Sequence, residues 1–343
     1  MIDKKSLTKH TLRYSKDSDF SIQRIPHGKG FVYKENSQTI FDPELKERIK
    51  SLIIPPAWQH VLISKSPHTH IQAIGFDAKN RKQYIYNNRW TELQQEEKFK
   101  RISFFGDVLP EIRKKVHADM KISGLARDRV LAAVVWLLEH TFIRIGNDQY
   151  AKDNKTYGLT TIENRHVEVD GEDVLFQFKG KSGVYHSVKI HNPRVAKVIY
   201  ACQELPEQQL FEYKDVDGSR RDVSSEDVNA YLHAITGSDI SAKDFRTWGG
   251  TVYAADTLNQ IGIYKTQTEA KKNIRDTIKL VSSHLRNTTA VCRKYYVHPK
   301  IIHTYEKKVL IPYFENIYQN STKPVNLRIN EYATLSLIND TTI

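Results

Sequence analysis

The sequence predicts an α+β chain, with a small β-rich N-terminal domain over residues 1–90 and a larger, mainly α-helical domain over residues 91–343 that holds a small antiparallel β-sheet. Three observations lead there. Short β-prone runs separated by Gly, Pro, Asn and Asp fill the first part of the chain, the pattern turns helical and highly charged after Trp90, and the period falls to two between Arg165 and Ile190. At 343 residues the chain exceeds one typical domain, and two domains of this size can each bury a core.

Taken in order, Phe31–Tyr33, Val61–Ser64, Ile71–Ile74 and Gln83–Tyr86 read as strands. A helix from Pro43 to Leu52 puts Leu45, Ile49 and Leu52 on one face, and Pro55-Pro56 ends it. Helical, charged sequence runs from Glu92 to about Met120. Asp128–Thr141 is the most apolar helix, with Val130, Leu131, Val134, Val135, Leu137 and Leu138, which marks it as a central core helix. It delivers the chain to Phe142-Ile143-Arg144-Ile145-Gly146.

His166–Val169 then meets Asp170-Gly171, a tight-turn pair, followed by Val174–Phe178, a Lys-Gly-Lys-Ser-Gly loop, and Val184–Ile190. This reads as a small antiparallel sheet with a basic loop at its tip. Helices return near Arg194–Leu205, Glu226–Ile235, Ala242–Asn259, Glu269–Leu285 and Pro299–Val309, with Ser225 and Ser241 placed as N-caps.

The net charge is +12, and basic residues recur along the chain, as in Lys79-Asn80-Arg81-Lys82, Arg113-Lys114-Lys115 and Arg293-Lys294. That distribution suits a polyanionic partner, nucleic acid ahead of a membrane surface, although a basic, solvated surface has the same composition. Only Cys202 and Cys292 are present, with no paired spacing, which fits reduced thiols in the cytosol. No apolar run approaches the roughly 20 residues of a membrane span, and the first residues lack the apolar core of a signal peptide. The expected setting is cytoplasmic and nucleoid-associated.

Several chemistries are set aside by spacing. Gly180-Lys181-Ser182 resembles the end of a phosphate-binding loop, but Leu175 stands where its first glycine belongs, so no nucleotide cofactor is expected. His298 and His303, with Cys292 and His284 nearby, match no zinc pattern, and no metal is expected. No GxSxG elbow supports a hydrolase serine. Arg, Lys and Tyr remain, and these can break a phosphodiester without a cofactor. Arginine stabilises charge developing on a phosphate oxygen, lysine protonates the departing alkoxide, and a tyrosine oxygen attacks and retains the cut end. Composition does not select which residues do so.

Position does. Arg144-Ile145-Gly146-Asn147-Asp148-Gln149-Tyr150, continuing to Asn154-Lys155-Thr156-Tyr157-Gly158-Leu159-Thr160-Thr161, closely resembles the first catalytic-arginine motif of type IB DNA topoisomerases, in particular the short bacterial and poxvirus-like branch. Phe178-Lys179-Gly180-Lys181, Lys243–Gly249 and Asn287–Pro299 follow in the family's order, and Ile54–Trp58 and Arg81–Tyr86 look like its N-terminal stretches. The resemblance spans roughly residues 20 to 310 and implies the fold shared by tyrosine recombinases and type IB topoisomerases.

The resemblance implies that Arg144 and Arg246 clamp the scissile phosphate. Lys181 would protonate the 5′-hydroxyl leaving group, with Lys179 its neighbouring rival. Asn287 takes a position where poxvirus and eukaryotic members carry histidine; an amide donates a hydrogen bond but carries no proton or charge. Tyr296, nine residues on, would be the nucleophile, with Tyr295 a second hydroxyl beside it. Thr289 replaces a frequent proline. Gln83, Tyr84, Tyr86, Tyr150 and Lys243 match DNA-contacting positions, and Tyr84 and Tyr86 share one strand face.

The implied activity is relaxation of supercoiled duplex DNA through a 3′-phosphotyrosyl intermediate, without ATP, by a monomer whose domain over residues 1–90 and catalytic domain over residues 91–343 clamp the duplex. Two other readings share these residue types. A tyrosine recombinase would exchange strands between paired sites, and a non-catalytic DNA-binding protein would form no covalent adduct.

Overall fold

The computed structural model describes residue 7 and residues 10–206, 208–215 and 217–343, with the backbone alone at Tyr150. It forms two compact units, Met1–Lys100 and Arg101–Ile343.

The first unit is built on a six-stranded antiparallel sheet from β1 (Ile22–His27), β2 (Gly30–Glu35), β3 (Gln38–Thr39), β4 (Gln59–Ile63), β5 (Ile71–Phe76) and β6 (Lys82–Tyr86), ordered β3-β2-β1-β4-β5-β6. Helix α1 (Pro43–Ser51) is capped by Asp42, whose Oδ1 accepts from the Glu44 and Leu45 amides. Its Leu45, Ile49 and Leu52 stripe joins Ile22, Val61, Ile63 and Ala73 in one core, as the spacing predicts.

Strand β1 was hidden in the sequence by Pro26. Its pairing with β4 covers only Ile22 and Gln23, so the proline, which has no N–H to give, lies where that edge makes no ladder bonds. On the same strand the Arg24 guanidinium is buried. It donates to the carbonyls of Ile54, Pro55 and Trp58 and lies 4.1 Å from the Phe31 ring centre, holding the Ile54–Trp58 loop in shape.

Helix α2 (Asn88–Asp119) begins in the first unit and continues into the second. From Ile102 onward it buries Ile102, Phe105, Leu109, Ile112 and Val116, the three-and-four spacing of an amphipathic helix. Helix α3 (Arg127–Thr141) is the central core helix that its composition predicts, with Val130, Leu131, Val134 and Leu137 wholly buried. Helix α4 (Asp148–Asn154) follows, then a three-stranded antiparallel sheet of β7 (Val167–Asp170), β8 (Asp173–Lys179) and β9 (Tyr185–His191), joined by the expected Asp170-Gly171 turn. Helix α5 (Pro193–Gln203) and the short pair β10 (Glu212–Lys214) and β11 (Arg220–Asp222) complete this part.

The remaining helices are α6 (Ser225–Thr236), α7 (Ala242–Ile261), α8 (Gln267–Leu285), α9 (Thr289–Tyr295), α10 (Pro299–Glu306), α11 (Leu310–Asn320) and α12 (Ile329–Asn339). The N-cap of α6 is Ser224 rather than Ser225, because the Ser224 hydroxyl is the one that accepts the Asp227 amide. Ser241 does precede α7, where its amide and hydroxyl both donate to Asp244 Oδ2.

Helix α7 bridges two hydrophobic clusters. Phe245, Trp248 and Val252 belong to the cluster around α3, and Ala254, Ala255 and Leu258 to the one formed with α8, α10, α11 and α12. The last helix is tied in by charge as well as by packing. Glu331, wholly buried, accepts from Arg113 at 2.8 Å and from Arg328 at 2.6 Å, and Arg113 also meets Glu139 at 2.6 Å. Burial pushes the Glu331 carboxyl up, but the two arginines outweigh it and hold the group at about 2.

Candidate active site

The apolar sequence of α3 ends at Thr141, and Phe142 turns the chain by adopting a left-handed conformation, φ 53 and ψ 21. Ile143 enters the core, while Arg144 stays half-buried. The backbone here is fixed from the following loop, with Leu159 donating to the Arg144 carbonyl at 2.9 Å and Thr160 to that of Ile145 at 2.6 Å. That loop also reaches the β8–β9 hairpin through Tyr157, whose amide donates to the Lys179 carbonyl at 2.8 Å.

Arg246 lies on α7 at 3 % exposure. Its Nη1 donates to the Phe142 carbonyl and its Nη2 to the Leu285 carbonyl at 2.6 Å. Those carbonyls sit at the ends of α3 and α8, where a helix runs out of amide donors. One guanidinium thus ties two helix termini to a third helix, using the fixed fork that arginine provides. Its centre lies 5.3 Å from the Tyr296 ring centroid.

Beyond Leu285 the chain turns through Arg286, also left-handed, and the Asn287 amide closes the end of α8 on the Ser282 carbonyl at 2.9 Å. Asn287 Oδ1 accepts from Arg144 Nη2 at 2.5 Å, which fixes the carboxamide orientation and leaves Nδ2 buried without a partner among the described residues. Thr289 begins α9, and the Thr288 hydroxyl caps it by accepting from Val291, so the helix starts without a proline. Tyr296 follows directly, its amide donating to Cys292 at 2.9 Å.

Two glycines make this convergence possible. A Cβ on Gly250 of α7 would lie 2.7 Å from the Tyr296 carbonyl oxygen, and one on Gly249 would enter the Phe142 ring. Thr251 completes the seat, its hydroxyl donating to the Tyr296 carbonyl at 3.3 Å. Arg144, Arg246, Asn287 and Tyr296, which the sequence scatters over about 150 positions, are thereby gathered into one cluster.

The cluster is strongly cationic. Burial, then the charge of Arg246, lowers the Arg144 guanidinium to about 10, with Tyr296 and Cys292 opposing. Arg246 is lowered in the same way by burial, and Tyr296 opposes that shift through its charge and a hydrogen bond. Arg144 keeps its proton at neutral pH with the shift included. Among the described residues no carboxylate pairs with Arg144, Arg246 or Arg286. Buried donors without partners among the described residues occur at the same place, at Arg246 Nε and Asn287 Nδ2. Guanidinium and amide donors with no internal anion make a site for a phosphate oxyanion.

Other expected residues are placed differently. Lys181 is exposed in the β8–β9 loop, and no described contact joins it to the cluster. Lys243 is exposed on α7, one turn before Arg246 and on the same face. Tyr84 and Tyr86 share the exposed face of β6 with ring centres 6.1 Å apart, whereas Gln83 points to the opposite face and donates to Asp77 Oδ2 at 3.0 Å. Tyr150 lies in α4, but its side chain is outside the described residues. Tyr295 is 36 % exposed with Lys294 Nζ over its ring, and His284 stacks on Tyr253 at the surface.

Sequence reasoning missed His186, Arg286 and the Gly249-Gly250 pair. For the glycines a signal existed, since two adjacent glycines inside the expected Ala242–Asn259 helix ask for a close neighbour. Among the described residues no cluster of three His, Cys, Asp or Glu has metal-binding proximity, and no helix is long and apolar enough to cross a membrane.

Residues 87–317 match the family model for the eukaryotic DNA topoisomerase I catalytic core, and residues 30–77 match that for the bacterial DNA topoisomerase IB N-terminal domain. The DNA topoisomerase 1B of Acanthamoeba polyphaga mimivirus is 32 % identical over 294 residues, covering 83 % of this chain and 87 % of that protein. This chain belongs to the type IB DNA topoisomerases. The DNA topoisomerase 1B of vaccinia virus (strain Copenhagen) is 24 % identical over 261 residues, 75 % of this chain and 77 % of its own. The DNA topoisomerase 1 of rabbit fibroma virus is 22 % identical over 287 residues, 80 % and 87 % respectively. As a type IB topoisomerase the protein is an isomerase acting on duplex DNA, which it relaxes by transient single-strand cleavage and religation.

Proposed function

We propose that Tyr296 is the nucleophile of this topoisomerase and that Arg144, Arg246, Asn287 and Lys181 complete its catalytic set. The observation that carries the reading is the gathering of two arginines without carboxylate partners among the described residues, and an amide donor, beside Tyr296. In the cleavage step Tyr296 Oη attacks the phosphorus and the bond from phosphorus to O5′ breaks. The phenol proton passes to solvent, and Lys181 Nζ donates a proton to O5′. The product is a 3′-phosphotyrosyl bond and a free 5′-hydroxyl, and the reverse sequence reseals the strand.

Arg144 and Arg246 stabilise the charge that grows on the non-bridging oxygens, an effect worth about 10²- to 10³-fold per lost donor in comparable oxyanion sites. Asn287 orients Arg144 through Oδ1 and offers Nδ2 to the phosphate. One phosphodiester replaces another, so the energy of the link is retained and ATP is not consumed.

The reading extends to a monomer that clamps one duplex, to DNA contacts by Gln83, Tyr84, Tyr86, Tyr150 and Lys243, and to a cytoplasmic, nucleoid-associated setting. Its test is adduct trapping on duplex DNA in EDTA, without ATP, alongside relaxation of a supercoiled plasmid. Wild-type protein forms the adduct and relaxes the plasmid, and Tyr296→Phe does neither. An adduct that survives Tyr296→Phe and vanishes with Tyr295→Phe overturns the assignment.

A further inference from the structure

Beside the cluster lies a group that the proposed chemistry does not use. His186, on β9, is 2 % exposed and stacks on Phe178 with ring centres 4.7 Å apart and planes at 20°. Neither ring nitrogen has a hydrogen-bond partner among the described residues. Burying two such atoms without partners is costly, and a phenyl ring would fill the same space without that cost. A structural filler is therefore a poor account of an imidazole here.

The ring presses on the loop that carries Lys181. A Cβ on Gly180 would lie 2.5 Å from His186 Nε2, so only glycine lets the backbone rest on the imidazole. The loop above is tight, with Gly180 donating to Val184 at 2.8 Å and Gly183 to Gly180 at 3.0 Å, and with Ser182 and Gly183 both left-handed. Lys179 folds across this loop, its Cε 3.2 Å from where a Gly183 Cβ would be, while Lys181 adjoins the Gly180 contact. A loop closed this tightly passes a shift at Gly180 directly to Lys181.

We infer that His186 is a positioning residue which supports the loop from beneath Gly180 and thereby sets where Lys181 presents its proton to the leaving oxygen. The inference rests on the reading of Lys181 as the general acid. The groups facing the imidazole are cationic, namely Arg286, Arg144 and Arg246, and burial, followed by these charges, holds it at about 4. The ring is thus neutral in ordinary buffers and adds no repulsion against an approaching lysine.

The test separates leaving-group protonation from everything else the ring does. A 5′-sulfur leaving group departs as a thiolate and needs no proton, so an acid-specific defect disappears on a duplex with a bridging 5′-sulfur at a mapped cleavage site. Single-turnover cleavage is measured on the oxygen and sulfur duplexes for wild type, Lys181→Ala, His186→Ala and Gly180→Ala, with melting curves for each. Gly180→Ala strikes the same contact from the loop side and leaves the buried ring intact, which guards against a folding failure of His186→Ala.

Expected is a loss of about tenfold or more on the oxygen duplex for both positioning variants, and recovery to within about threefold of wild type on sulfur, since a positioned general acid contributes about 10²–10⁴-fold. The double variant Gly180→Ala with His186→Ala is expected to be no worse than His186→Ala alone, because the clash then has no ring to meet. If Lys181→Ala recovers on sulfur but the two positioning variants do not, the role of His186 is overturned. If Lys181→Ala itself fails to recover, the fault lies in the assignment of Lys181.

Discussion

Replacing Gly250 by alanine should harm a helix that alanine ordinarily strengthens. In an exposed helix interior the change is favourable by about 1 kcal/mol. Here the added methyl lies 2.7 Å from the Tyr296 carbonyl oxygen, 3.0 Å from Leu285 Cδ1 and 3.3 Å from Tyr296 Cβ. The leucine can turn aside, but the carbonyl belongs to the main chain of the proposed nucleophile. Restoring ordinary contact, at about 3.5 Å or a little less for carbon against oxygen, moves that main chain by roughly half an ångström or more. Overpacking of this kind costs about 1–3 kcal/mol, which offsets the helix gain and leaves the melting temperature unchanged or lower.

The larger effect falls on rate. A misplacement of about 1 Å costs on the order of 100-fold, so Gly250→Ala is expected to slow cleavage by about tenfold or more. The assay is single-turnover formation of the covalent adduct on a duplex oligonucleotide, with thermal unfolding measured on the same preparation. A raised melting temperature with an unchanged adduct rate is the behaviour of an unconstrained helical glycine. That pair of results would refute the close seat argued for Tyr296.

Other outcomes follow from the same geometry. Tyr295→Phe, altering an exposed ring, should leave the adduct rate within about twofold, as surface changes away from a site are usually near neutral. Arg246→Lys keeps the charge but cannot bridge the Phe142 and Leu285 carbonyls, so both cleavage rate, by about 10²-fold or more, and melting temperature should fall. Asn287→Ala removes the amide that orients Arg144, and a cleavage rate unchanged in single turnover would show that Arg144 holds its place unaided.

Glu331 offers a pH test. Its carboxyl is depressed from 4.5 to about 2, so its contribution, about 3 kcal/mol, is present above pH 4.5 and is lost as pH falls towards 2. Glu331→Gln should be destabilised at neutral pH by about 3–5 kcal/mol, having left Arg113 short of a buried partner, and its denaturant midpoint should change less than that of wild type across this acid window.

Much of the scaffold was legible because its signals are local. The apolar run of α3 and the period-two stretch ending at Ile190 state their own structure, and turn chemistry at Asp170-Gly171 joins the strands. Elements that depend on distant partners were not legible. Pro26 disguised β1 because its acceptability depends on how little of that strand pairs with β4, and helices α11 and α12 take their places from burial against α7 and against each other. The site divides in the same way. Spacing and resemblance named Arg144, Arg246, Asn287 and Tyr296, but the carbonyls that Arg246 holds, the glycines that admit Phe142 and Tyr296, and the ring beneath Gly180 are contacts between segments far apart in the chain. The isolated position of Lys181 was equally unreadable, since a loop side chain takes its partner only from what approaches it.

The bracket formed by Arg246 also bears on how such a protein could lose its activity over generations. Loss of the Tyr296 hydroxyl or the Lys181 amine would remove only a proposed reacting group, so on that reading a DNA-binding descendant without cleavage is one substitution away through either position. A change at Arg246 releases the ends of two helices at once and leaves their carbonyls buried and unmet. Inactive descendants that still fold should therefore keep the arginine long after the tyrosine has gone, and its presence in a related chain is weak testimony that the chain still cuts DNA.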